Sequence, residues 1–129
     1  MAAIRIALAA KVGPGRVFLV SDAMSPTGSA QKTFKLGGRT IYRKDGRLTL
    51  ENGTLAGADL DMASALKFMV ESVGVDLSEA ARMASLYPAQ CLKRQDRLGH
   101  LAPGTSADLV HVDDDLSVRQ VWRAGSPVL

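Results

Sequence analysis

Apolar residues at Ile4, Leu8 and Val12 recur every fourth position through Ala2–Val12, which predicts one short helix with a single apolar face. Gly13-Pro14-Gly15 ends it. Four apolar residues in a row, Val17 to Val20, then predict a fully buried strand, short and bounded by turn residues on both sides. A helix, a tight turn and a buried strand make an αβ step of parallel α/β folds. The pattern changes after the polar loop Ser25–Lys32. Phe34-Lys35-Leu36 and Thr40-Ile41-Tyr42 flank Gly37-Gly38 and predict a hairpin. Lys44-Asp45-Gly46-Arg47 predicts a second turn, and Leu48-Thr49-Leu50 a third strand of an antiparallel meander. Glu51–Gly57 reads as a loop whose two glycines let backbone approach something closely.

Helical periodicity then returns. Met62, Ala65, Leu66, Met69, Val70 and Val73 line one face, with Asp59 or Asp61 as N-cap and Gly74 as the stop. Two methionines in such a stripe read as packing rather than a cofactor box. Asp76 and Glu79 predict a capping box for a helix over Leu77–Leu86, and Pro88 can begin a third, short one. Leu98–Gly104 is turn-rich. Ala107–Val112 and Val118–Trp122 predict two strands paired across the acidic turn Asp113-Asp114-Asp115. A hairpin alone is marginal in water, so this one needs more sheet, from the meander or from another chain.

Composition narrows the setting. In 129 residues, 47% are hydrophobic and 22% charged, values that suit one domain able to bury a core. Aromatics are only 5%, so that core must be Leu, Val, Ala and Met. The net charge is +3, and the one basic cluster, Lys93, Arg94 and Arg97, has no aromatic beside it. It reads as a solvated face, which argues against a nucleic-acid partner. Cys91 is the single cysteine, in keeping with a reducing cytoplasm. Met1–Ala10, interrupted by Arg5, is too short for a signal peptide or a membrane span.

Candidate chemistry centres on Asp22. It sits just past the last apolar residue of the predicted strand Val17–Val20, and carboxyl ends of parallel strands are where catalytic groups stand. Asp22 is therefore either an acid or base in a site, or a residue that caps the following turn. His100 and His111 have no ligand-spaced neighbours, so neither seeds a metal site, which needs three or four protein ligands. No Ser–His–Asp or Cys–His set stands out.

Three stretches carry a resemblance: Leu19-Val20-Ser21-Asp22-Ala23-Met24-Ser25-Pro26-Thr27-Gly28, Asn52-Gly53-Thr54-Leu55-Ala56-Gly57, and Met83-Ala84-Ser85-Leu86-Tyr87-Pro88-Ala89. With the ending Leu98-Gly99, Pro103-Gly104 and Ala107-Asp108-Leu109-Val110, the sequence resembles the N-acetylglucosamine-6-phosphate deacetylases of the amidohydrolase superfamily, over their carboxy-terminal third. The ending is shared across the superfamily; the two loops are more specific. The resemblance implies an α/β fold class: the last part of a TIM-like metal-dependent hydrolase barrel over residues 1–97, and strands of a small β-sandwich over 98–129. A full barrel needs about 250 residues.

The resemblance also implies roles. In that family a divalent metal, zinc or iron, activates a water that attacks the acetyl carbonyl of an amino-sugar phosphate. The aspartate matching Asp22 takes the water's proton and passes it to the leaving amine, as a general base. Thr54, Leu55, Ala56 and Gly57 match the loop against the sugar. The family's HxH motif and its metal-binding glutamate and histidines have no counterpart here, so no metal is expected in this chain, and no deacetylation by it alone. Two other readings stay open: an assembly module completing a barrel from a separate chain, and the tail of another amidohydrolase, against which the two specific loops argue. Strands without their barrel and sandwich neighbours predict a homo-oligomer, most simply a two-fold dimer, with Val17–Val20, Ile4 and Leu8 in the contact.

Overall fold

The computed structural model describes residues 1–128, which divide into two compact units: Val20–Ala65, and Met1–Leu19 with Leu66 onward. The chain is mixed α/β, with two small antiparallel sheets. Among the described residues no helix is long and apolar enough to cross a membrane.

In the Val20–Ala65 unit, strands β1 (Thr33–Leu36), β2 (Arg39–Lys44), β3 (Arg47–Leu50) and β4 (Leu55–Ala58) form a meander in sequence order. Both predicted hairpins are present. Leu36 pairs with Arg39 and Lys44 with Arg47, leaving two-residue turns. Gly37, Gly38, Asp45 and Gly46 all have positive φ, the geometry whose twist matches antiparallel strands. Ile41 and Leu48 are buried on this sheet. β4 falls where a loop was expected: the turn Glu51–Thr54 is shorter, and Leu55–Ala58 pairs with β3 across a register shift at Leu48/Thr49.

The other unit opens with helix α1 (Ala2–Ala10), two residues shorter than its periodicity predicts. Val12 lies beyond it and is 89% exposed, so only Leu8 of the predicted face packs inward. Val17–Val20 is not a strand. A strand needs a ladder partner, and the segment pairs with none among the described residues; Leu19 N donates instead to Met83 O at 2.9 Å. Its apolar residues alternate: Val17 and Leu19 pack on the helical core, while Phe18 and Val20 face outward. The predicted parallel step is thus absent, and the one parallel pairing among the described residues is an isolated bridge, Ala23–Ala58.

Helix α2 (Met62–Phe68) starts on Asp61, whose carboxylate accepts from Ser64 N at 2.7 Å. Asp59, the other candidate cap, is engaged elsewhere. The helix widens into a π-helical turn over Met69–Val73, where Gly74 N reaches back five residues to Met69 O. Asp76 then caps α3 (Leu77–Ala84) through Ser78 N and Glu79 N. The box is half made, because the Glu79 carboxylate turns to Tyr87 and Arg82. Helix α4 (Leu86–Cys91) starts two residues before Pro88, whose missing N–H is harmless in a first turn. Met69, Val73, Ala80, Met83 and Tyr87 form the buried cluster of this unit. Strands β5 (Leu109–Val112) and β6 (Val118–Arg123) pair across the acidic turn as expected, and a two-residue strand β7 (Ser126–Pro127) adds a third member.

Candidate functional site

Asp22 stands in a turn with φ of +50°, a left-handed conformation that Asp tolerates better than most residues. Its side chain is exposed. Its backbone is fastened: Ala58 N donates to Asp22 O at 3.2 Å, beside the Ala23–Ala58 bridge. The turn after the carboxylate is therefore sewn to the carboxyl end of β4.

β4 shows why Gly57 is a glycine. It is buried, and a Cβ there would stand 2.5 Å from Met24 Sδ and 2.8 Å from Met24 Cγ. The absent side chain lets the segment after Asp22 lie directly on the strand. Ala56 is half-buried, while Leu55 is 67% exposed. Thr54 is in the turn, with its N–H on Asn52 Oδ1 at 3.1 Å and its carbonyl accepting from Leu50 N at 2.9 Å. Of the residues singled out from sequence, the structure brings Asp22 against Gly57–Ala58, with Thr54 and Leu55 at the opposite end of the short strand.

One participant was not visible in the sequence. Arg43, on β2, sends Nε to Asp59 Oδ2 at 2.6 Å and Nη1 to Pro26 O at 3.2 Å and to Ser29 O. Its contacts lie 14 to 17 residues away along the chain, beyond any local pattern. Pro26 is fully buried, and Ser29 Oγ donates to its carbonyl at 2.8 Å. Thr27 Oγ1, on the same loop, is out of contact with solvent and has no hydrogen-bond partner among the described residues.

Among the described residues no three His, Cys, Asp or Glu side chains gather as a metal site would require. His100, His111 and Cys91 are exposed on separate elements, and one orphan hydroxyl at Thr27 is no ligand set. The side chains here do not suit a divalent metal by themselves. What they offer is an exposed carboxylate on a backbone tied to β4.

A cavity of about 370 Å³ lies within the other unit, lined by Leu8, Lys11, Arg16, Val17, Val75, Glu79 and Met83, and includes none of the sequence-predicted site residues. Its polar groups are already engaged. Lys11 Nζ donates to Gly13 O at 2.8 Å, and Arg16 lies 5.3 Å over the Tyr87 ring. The Tyr87 hydroxyl donates to Glu79, which with the nearby Arg82 guanidinium holds the Glu79 carboxyl below its ordinary range.

The pattern characteristic of the amidohydrolase family matches residues 1–128. The N-acetylgalactosamine-6-phosphate deacetylase of Shewanella sp. strain ANA-3 is 42% identical over 113 residues, 88% of this chain and 28% of that protein. The N-acetylglucosamine-6-phosphate deacetylase of Haemophilus influenzae is 38% identical over 77% of this chain and 26% of its own length. The crystal structure of N-acetylglucosamine-6-phosphate deacetylase from Pasteurella multocida superposes with a TM-score of 0.91 at 31% identity, over 98% of this chain and 33% of that one. The chain thus spans about a third or less of the length of these three proteins. By sequence and by fold, it belongs to the amidohydrolase family.

Proposed function

We propose that this chain carries the proton-transferring carboxylate and part of the sugar-facing wall of a deacetylase acting on N-acetylated hexosamine 6-phosphates. The observation that carries this reading is the fastening of the Asp22 turn to β4 at Gly57–Ala58, in a chain similar to such deacetylases over most of its length. Water would add to the acetyl carbonyl while the Asp22 carboxylate accepts its proton. Asp22 would then return that proton to the amide nitrogen as the C–N bond breaks, giving acetate and the free hexosamine 6-phosphate. Thr54, Leu55, Ala56 and Gly57 would lie against the sugar. Residues 1–97 are read as a segment of a TIM-like barrel and 98–129 as strands of a β-sandwich. A cytoplasmic setting goes with this metabolism and with the single free cysteine.

The ligands for a zinc or iron ion are not among these side chains, so the chain by itself is expected to be inactive and to purify without stoichiometric metal. Elemental analysis checks the second point; about one tightly held ion per chain would overturn it. The gluco sugar is the first reading, and the galacto epimer is a second, favoured by the 42% identity to the Shewanella protein.

The test combines the purified chain with a polypeptide carrying the remaining two thirds of the Pasteurella relative, with zinc, and follows acetate release from both epimers. Each part should be silent alone and the mixture active. Asp22→Asn should lower the rate about 10²- to 10⁴-fold. Turnover by the chain alone would overturn its dependence on further residues, and an undiminished Asp22→Asn mixture would overturn the role of Asp22. Self-association is also proposed, through Ile4 and the outward residues Phe18 and Val20; Leu8 already packs on the core of its own unit. Light scattering at micromolar concentration giving only monomer would refute it.

A further inference from the structure

We infer that Arg43 is a positioning residue for Asp22, setting the turn that carries the carboxylate against β4. This rests on the reading of Asp22 given above. Two chain segments meet there: the turn and loop from Asp22 through Ser29, and the end of β4 from Gly57 through Asp59. Directly they are joined by the 3.2 Å bond from Ala58 N to Asp22 O, the isolated bridge at Ala23 and the close approach of Met24 to Gly57. Arg43 spans both. Its Nε holds Asp59, the residue after Ala58, and its Nη1 holds the carbonyls of Pro26 and Ser29, four and seven residues past Asp22. The Arg43 backbone N–H also donates to Lys32 O at 2.8 Å, so the loop is tied to β2 at its far end as well.

The guanidinium suits this work. It is planar, always charged, and presents several donors in a rigid fork, so one side chain can serve a carboxylate and two carbonyls at once. Its side chain is 23% exposed and that of Asp59 12%, so water and salt weaken the pair less than they would at the surface. An ammonium is a single point charge and cannot span the same acceptors in the same geometry. Asp22 itself gains from this help, because few residues other than glycine adopt its left-handed backbone and a catalytic carboxylate must remain uncovered. Arg43 does not touch Asp22; it acts through the segments on either side.

The test uses the full chain and needs no turnover. Amide hydrogen exchange at Ala58 and the HN–Hα coupling of Asp22 are measured in wild type, Arg43→Met, Arg43→Lys and Asp59→Leu. Arg43→Met should speed exchange at Ala58 by about tenfold or more and move the Asp22 coupling away from its left-handed value, while the β2–β3 amides keep their protection. Arg43→Lys should not restore wild-type values. Ala58 exchange and Asp22 coupling unchanged in a folded Arg43→Met chain would overturn the inference. Should Arg43→Met fail to fold, Asp59→Leu, which keeps about the same size and removes the acceptor of one tether, decides by the same readouts: faster Ala58 exchange supports the inference and no change refutes it. In the two-part assay, Arg43→Met should lower kcat more than it raises KM. A positioning effect seen by exchange, beside an Asp22→Asn mixture of undiminished activity, would refute the reading of Asp22 and leave that of Arg43 standing.

Discussion

In the Val20–Ala65 unit the buried apolar side chains are few, Ile41 and Leu48 on the sheet, Pro26 in the loop and Ala65 on α2, and Arg43 holds the loop after Asp22 and Asp59 after β4 by hydrogen bonds. In the other unit Met69, Val73, Ala80, Met83 and Tyr87 form a continuous apolar cluster with Leu8, Val17 and Leu19 packed on it. The difference follows from what each region carries. On the proposed function, a carboxylate that must meet a substrate cannot be covered, so its turn is held from behind by polar tethers and close backbone contact. Helices with nothing to expose are held by burial, which is non-directional and grows with apolar area.

The largest expected effect tests the apolar side. Met83 is 2% exposed, and Met83→Ala should cost about 3 kcal/mol through lost burial and the cavity left behind. Leu55→Ala, at a site 67% exposed, should change stability by less than about 0.5 kcal/mol. Urea unfolding measures both, and equal effects would dissolve the contrast between the helical core and the exposed wall of the candidate site. Next comes the close approach at β4. Gly57→Ala places a Cβ 2.5 Å from Met24 Sδ, so Met24 must move, at an expected cost of about 1–3 kcal/mol. A neutral Gly57→Ala would mean the contact is slack and the Asp22 turn less firmly seated than its backbone bonds suggest.

A smaller effect concerns the hairpin turn. Gly38 has φ of +77° and open space around it, so Gly38→Ala meets no clash, only the left-handed penalty of about 1 kcal/mol. Comparing it with Gly57→Ala separates two reasons for glycine, conformation at one position and space at the other.

The same contrast explains what could be read from sequence. Gly37-Gly38 and Asp45-Gly46 carry local turn chemistry, so both hairpins were legible. The stripe from Met62 to Val73 and the cap at Asp76 were legible because helix period and capping act within four residues. Val17–Val20 misled because an apolar run specifies burial, whereas a strand also requires a partner. Leu55–Ala58 escaped because its composition, half Ala with a glycine, has no strand preference, and its pairing with β3 decides its state. At the candidate site, Asp22 was singled out by its place after an apolar run and Thr54–Gly57 by resemblance, and no local rule could rank Asp22 above a turn cap. Arg43 was silent because its partners are set by tertiary contact alone. The π-helical turn at Met69–Val73 likewise leaves no mark in the apolar stripe.

The smallest effect probes a polar network packed against the apolar cluster. The Glu79 carboxylate accepts from the Tyr87 hydroxyl at 2.9 and 2.8 Å and from Arg82 Nε at 2.9 Å. These bonds favour its charged form, Tyr87 most, and hold its pKa below the ordinary 4.5. A carboxyl lowered on folding stabilises the folded chain above the unfolded pKa, and that contribution fades as pH falls through the lower folded value. Glu79→Gln should therefore flatten the acid limb of stability below about pH 4.5 while leaving its shape near neutrality unchanged. The effect is modest because the side chain is 38% exposed. Tyr87→Phe should remove more of this acid slope than Arg82→Gln, since the hydroxyl contributes the larger share. Urea midpoints measured from pH 6 to pH 3 compare the three variants. The reverse order would place the control of Glu79 with the surface ion pair rather than with the buried tyrosine, and the network would then belong to the solvent face of α3 instead of the core.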